Sequence, residues 1–193
     1  MTAFSGLAEW LATLNSDSRI LVAGLPGSGK TTIARELSVL LSSQYIELDA
    51  LYFGPGWKMR DSFAHSAGIA LAGGSWVSEF QYENLVGDAL KFATHLVFLD
   101  VSPAWRSTRV LRRSIIRKLR HQDAWPGVKE PALHVVLFSR SHTLWWGLLN
   151  SDSYRSSLQR FSSTNDVNVV SVVGVCAQNR FRTLVYQVLS SEG

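Results

Sequence analysis

The stretch ILVAGLPGSGKT, residues 20–31, decides the fold. Ile20 to Ala23 form an apolar run that reads as a buried strand. Gly24, Gly27 and Gly29 punctuate a tight loop, and Lys30-Thr31-Thr32-Ile33 open a helix. Gly24 to Thr31 fits G-x-x-x-x-G-K-[ST] at every fixed position. A loop of this kind grips phosphate with successive backbone N–H groups, while the following helix points its positive end at the same anion. The glycines let the chain approach the phosphate and reach φ above zero. Gly24, Leu25, Pro26, Gly27, Ser28, Gly29, Lys30, Thr31 and Thr32 are therefore the candidate nucleotide-binding residues. Lys30 is expected to reach the β/γ-oxygens and the Thr31 hydroxyl to ligate Mg²⁺.

Outward from this loop, 193 residues suit a single domain, 1–193, that can bury a sheet between two helical layers. With 46% hydrophobic and 18% charged residues, the chain reads as globular rather than disordered. Cys176 is the only cysteine, so no internal disulfide can form. No basic segment followed by an apolar run marks the N-terminus as a signal peptide, and Leu144–Leu149 is far too short to span a membrane. A cytoplasmic protein without membrane association is the expectation. The five histidines lack metal-ligand spacing.

Alternating patterns follow along the chain. Leu7, Trp10, Leu11 and Leu14 mark an amphipathic helix over 5–15. Strands are expected at 19–24, Tyr45–Asp49, Ser75–Glu79, His95–Asp100 and Asp166–Val173. Helices are expected from the loop to Leu41, at 61–72, over Tyr82–Phe92 with Leu85, Ala89 and Leu90 inward, through most of 129–162, and at 178–189. Ser102-Pro103 supplies an N-cap and a first-turn proline for one more helix. Strand–helix alternation implies right-handed crossovers and a three-layer α/β/α fold around a parallel sheet. Ligands in such sheets gather at the carboxyl ends of the strands. Asp49, Glu79 and Asp100, each expected at a strand end, thereby join the loop as site candidates.

Asp100 closes the apolar strand and suits the carboxylate that holds Mg²⁺ through water. Asp49 could take the proton of an attacking hydroxyl, ligate the metal or bind the acceptor. Tyr52, Phe53 and Trp57 could wall an acceptor pocket, and Glu79 could bind the acceptor or serve the next helix. Arg106, Arg109, Arg113, Arg117 and Arg120 fall within an arc of roughly 80° on one helix. Trp105, Leu111, Ile115, Ile116 and Leu119 lie opposite. The helix is expected to pack by its apolar face and to present a guanidinium ridge for phosphate.

Four segments together resemble adenylate-kinase-like P-loop proteins, closest to the bacterial topology modulation (FlaR-like) group. They are Gly24–Leu37; Glu47-Leu-Asp-Ala-Leu-Tyr52 with Pro55-Gly-Trp57; Trp76-Val-Ser-Glu-Phe-Gln-Tyr82; and Arg109-Val-Leu-Arg-Arg113 with Trp125-Pro-Gly-Val-Lys-Glu130. The resemblance implies a five-stranded sheet in the order 2-3-1-4-5 and a helical lid over roughly 109–150. It also implies ATP at Gly24–Thr31 and an acceptor side near Asp49, Tyr52, Trp57, Glu79 and Tyr82. Arg109 would lie against adenine and Arg113 against phosphate. Phe80 stands where that group has Gly, and its ring is expected to crowd the ligand side. The leading expectation is a Mg²⁺-dependent kinase that moves the γ-phosphate of ATP to a small nucleoside- or nucleotide-type acceptor, with Lys30, Asp49, Arg109 and Arg113 as the catalytic set. A regulatory nucleotide-binding ATPase and a nucleic-acid-associated ATPase remain open beside it.

Overall fold

The computed structural model describes residues 5–120, 123–125, 128–129, 147 and 149–191. Strands β1 (Arg19–Ala23), β2 (Gln44–Ile46), β3 (Trp76–Glu79), β4 (His95–Asp100) and β7 (Asn168–Val173) build one sheet in the order β2-β3-β1-β4-β7. Every pairing in it is parallel. Counting only these five, the order is 2-3-1-4-5, as the resemblance implied. Two short strands, β5 (Asp123–Trp125) and β6 (Val128–Lys129), pair antiparallel outside the sheet. Most of the expected lid lies outside the described residues.

The helices are α1 (Ser5–Ala12), α2 (Lys30–Leu40), α3 (Leu48–Tyr52), α4 (Phe63–Ala72), α5 (Glu83–Leu90), α6 (Pro103–Leu119), α7 (Ser151–Thr164) and α8 (Gly174–Ser191). Alternate side chains of β1 serve opposite cores because strand residues alternate faces. Leu21 and Ala23 join Phe63, Trp76, Leu90 and Phe161, under α4, α5 and α7. Ile20 and Val22 join Trp10, Ile33, Leu37 and Phe181, under α1, α2 and α8. β1 is thus covered on both faces, which explains its unbroken apolar run.

Three local expectations are corrected. β2 stops at Ile46, and Asp49, the expected strand tip, sits instead on the short helix α3. The chain folds back there because Leu48, 1% exposed, turns inward to the core. In α5 the inward residues are Val86 and Leu90, while Leu85 is 46% exposed. Tyr82 in the left-handed region (φ 57°) and Val86 at φ −129° shift the phase of that helix. The largest correction concerns α6, whose buried residues are Arg106, Val110 and Ser114. Trp105, Ile115 and Leu119 are exposed instead. Arg106 can be buried because its Nε donates to the Val101 carbonyl (3.0 Å) and Nη1 to the Gly147 carbonyl (3.2 Å). Its aliphatic stem needs no water.

Candidate active site

At the carboxyl ends of β1 and β3 a cleft of about 910 Å³ opens. Its floor is the loop between β1 and α2. Gly27 and Gly29 hold φ of 81° and 96°. A Cβ on Gly27 would stand 2.3 Å from the Arg106 carbonyl oxygen, and one on Gly29 would stand 2.5 Å from Gln178 Nε2. Only glycine meets both demands. The loop is also braced from distant elements. Gln178 of α8 donates Nε2 to the Ser28 carbonyl at 2.6 Å, and Arg109 of α6 donates Nη1 to the same carbonyl at 3.3 Å. Arg109 further donates to Gln178 Oε1 at 3.1 Å, and its guanidinium lies 5.8 Å from the Trp105 ring centre. The Tyr154 hydroxyl of α7 accepts the Gly24 N–H at 2.8 Å and donates to the Phe80 carbonyl at 3.3 Å. Tyr154 therefore ties the start of the loop to the end of β3.

Glu79 closes β3 beside Val22 of β1, and it is 5% exposed. Lys30 Nζ lies 3.3 Å from its Oε2. Thr31 Oγ1 donates to Oε1 at 2.7 Å, the Tyr45 hydroxyl to Oε1 at 2.9 Å, and Gln81 Nε2 to Oε2 at 2.7 Å. Burial pushes this carboxyl up, but the Lys30 ammonium and the hydrogen bonds from Thr31 and Tyr45 outweigh it. The net result is a carboxyl held below its ordinary 4.5. Glu79 stays ionised against the motif lysine and threonine.

Across the cleft, Asp49 accepts a 2.6 Å hydrogen bond from the Tyr82 hydroxyl. Burial lifts its carboxyl above the ordinary 3.8, although Tyr82 and Lys30 pull it down. Tyr82 stacks on Tyr52 with ring centres 4.2 Å apart and planes 10° apart. Its left-handed backbone costs about 1 kcal/mol, which the stack and the Asp49 bond offset.

The cleft collects most of the residues singled out in the sequence. Gly24, Pro26, Gly27, Gly29, Lys30, Thr31, Thr32, Asp49, Tyr52, Tyr82, Arg109 and Arg113 line it. Leu25, within the loop, is buried. The side chain of Trp57 lies outside the described residues. Asp100 does not line the cleft, and its Oδ1 accepts from Arg155 Nη2 at 2.7 Å. Phe80 is a lining residue of the cleft, and its ring packs into the core. It is 2% exposed, with its ring 5.1 Å from that of Phe161 in the core. Arg113 and Arg117 line the cleft, and Arg113 is exposed. Tyr45, Gln81, Tyr154 and Gln178 were not singled out from the sequence. The partners of Tyr154 and Gln178 lie 130 and 150 positions away, so no local spacing could have flagged those two, whereas Gln81 bonds to Glu79 only two residues before it.

Thr31 and Glu79 fit a hard cation such as Mg²⁺, since both offer oxygen at the end of the loop. Among the described residues no group of three or more His, Cys, Asp or Glu side chains could hold a metal unaided. Such an ion would need phosphate or water oxygens to complete its shell.

The parallel 2-3-1-4-5 sheet with its glycine-rich loop between β1 and α2 is the P-loop NTPase fold. No family model matches the chain, and no curated protein matches it. Solved structures similar to it include a shikimate kinase from Acinetobacter baumannii in complex with shikimate, at 16% identity over 95% of this chain and 98% of that one, with a TM-score of 0.49. A sugar kinase from Janibacter sp. shares 18% identity over 90% and 92% of the two chains, with a TM-score of 0.46. A deoxyadenosine kinase from M. mycoides with bound dATP shares 14% over 90% and 98%, with a TM-score of 0.44. At this distance, function has to be read from the chain's own cleft. Among the described residues no helix is long and apolar enough to cross a membrane.

Proposed function

We propose that the protein is an ATP-dependent small-molecule kinase that uses Mg²⁺ to move the γ-phosphoryl group to a hydroxyl-type acceptor. The observation that carries this reading is a pair of carboxylates with different partners: Asp49 lines the cleft, and Glu79, which does not line it, holds the lining residues Lys30 and Thr31. Glu79 is tied to Lys30 and Thr31 on the donor side, and Asp49 is tied to Tyr82 and the aromatic wall on the other. A cleft used only to hold a nucleotide has no need of the second group.

In this reading the loop N–H groups and Lys30 bind the β- and γ-phosphates. Thr31 would hold Mg²⁺ directly and Glu79 through water, and the ion would supply charge neutralisation between the phosphates. Arg113 and Arg117, from the lining of the cleft, offset charge on the transferring group. Arg109 acts mainly on the protein itself, by fixing the Ser28 carbonyl. Asp49 orients the acceptor and takes its proton, a role suited to a carboxyl whose affinity for protons is raised. Arg106 is buried, and Arg109, Arg113 and Arg117 line the cleft, which favours a bound nucleotide over a nucleic-acid backbone as their partner. The likeness to the topology modulation group rests on the four motifs alone.

Lys30→Ala tests the donor side. Titrating ATP against tryptophan fluorescence should show saturable binding in the wild type and its loss in the variant. Equal binding in both would refute the placement of the phosphates.

A further inference from the structure

The charge of the acceptor can be read from the far wall of the cleft, if the kinase reading above is accepted. Between Glu47 and Asn84, the described residues that line the cleft include three carboxylates, Glu47, Asp49 and Glu83, and no cation, whereas the lining cations Lys30, Arg35, Arg109, Arg113 and Arg117 all come from α2 and α6. Arg35 of α2 is the nearest basic lining residue in sequence. Its Nη2 lies 3.4 Å from Glu47 Oε2, and its guanidinium lies 5.5 Å from the Tyr45 ring centre. Arg60 donates Nε to the Phe53 carbonyl at 2.9 Å and does not line the cleft. The remaining lining on this wall is aromatic or amide.

A phosphomonoester acceptor demands the opposite arrangement. Its dianion is normally met by forked guanidinium groups, and like charges brought together in a partly desolvated cleft cost several kcal/mol. Where the phosphate itself attacks, it would also have no use for Asp49, because its oxygen already carries the charge. An alcohol does have such a use, since its oxygen becomes a good nucleophile as the proton leaves. We infer that the acceptor is an alcohol without negative charge, of nucleoside or polyol type, and not a phosphorylated metabolite. Its hydroxyl is held at Asp49, and its carbon frame lies along the Tyr52–Tyr82 stack.

The transfer balances without any further reactant. The acceptor oxygen forms a bond to the γ-phosphorus, and the bond from that phosphorus to the β,γ-bridging oxygen breaks. Its electron pair departs with ADP, and the hydroxyl proton passes to the Asp49 carboxylate.

The test is a panel of acceptors in matched pairs, each alcohol beside its own monophosphate, incubated with γ-labelled ATP, Mg²⁺ and the full chain. The expected result is label in at least one alcohol, with its monophosphate slower by about 100-fold or more, the factor that roughly 3 kcal/mol of repulsion gives. Glu47→Gln should narrow that ratio, because it removes one repelling charge and releases Arg35. The ratio compares two acceptors on one preparation, so a folding defect cancels from it. A monophosphate labelled as fast as its alcohol, or faster, would overturn the inference and leave the kinase reading standing. Label in no acceptor, while ATP still binds and Lys30→Ala abolishes that binding, would overturn the kinase reading and the inference with it.

Discussion

Replacing Glu79 by glutamine separates two effects that the ion pair with Lys30 holds together. The side chains of Lys30 and Glu79 are 14% and 6% exposed, and their charged atoms lie 3.3 Å apart. At an effective dielectric of about 20 their attraction is about 5 kcal/mol, before the cost of stripping water from both groups is subtracted. Removing one partner of a buried pair costs about 3 to 5 kcal/mol, because the other charge is left stranded. Glutamine can still accept hydrogen bonds from Thr31 and Tyr45, so about 3 kcal/mol is the expected loss of stability. Urea unfolding reads it directly as a fall in midpoint of about 1–3 M. The loss should also depend on pH in a defined direction. Glu79 has a lower pKa folded than its ordinary 4.5, so its contribution is full above 4.5 and disappears as pH falls through the folded value. Wild type and variant should therefore differ most near neutrality and converge in acid. Meanwhile Lys30, released from its partner, should bind ATP more tightly in the absence of metal. A stability difference below about 1 kcal/mol that does not change with pH would refute the claim that Glu79 is the counter-charge of the loop.

Two further outcomes follow from the same geometry. Tyr154→Phe removes the hydroxyl that accepts the Gly24 N–H and donates to the Phe80 carbonyl, and should cost about 1–3 kcal/mol in urea unfolding. An unchanged midpoint would mean that water replaces the hydroxyl at no cost. The acid limb of the transfer rate should lie above 3.8, because the base must be ionised and burial lifts Asp49. A limb at or below the ordinary aspartate value would assign the proton to another group.

The loop was legible in the sequence because its chemistry is local. Two glycines, a lysine and a threonine must stand at fixed spacing, and Gly29, with Gly27 inside the loop, takes the positive φ expected of its glycines. The sheet was legible for a similar reason, since β1 and β4 are buried runs that alternation rules recognise. The orientation of α6 was not legible. A helical projection treats arginine as an outward residue, but Val101 and Gly147 offer carbonyls that satisfy the Arg106 guanidinium indoors. Once Arg106 is fixed, Val110 and Ser114 follow it inward at four-residue steps, and Ile115 and Leu119 are turned out. Asp49 was recognised as a residue but placed on the wrong element, because a short helix leaves almost no periodic signal in five residues. The braces at Tyr154 and Gln178 come from helices far along the chain, and only the folded topology brings them to the loop.

The central claim is that Asp49 receives the acceptor's proton in a cleft that holds ATP at Lys30. The most direct measurement compares wild type and Asp49→Asn for both ATP binding and transfer of labelled γ-phosphate to the best acceptor. ATP should bind both proteins alike, while transfer by Asp49→Asn should fall by about 10²–10⁴-fold, the usual contribution of a positioned base. Transfer at the wild-type rate in the variant would contradict the account.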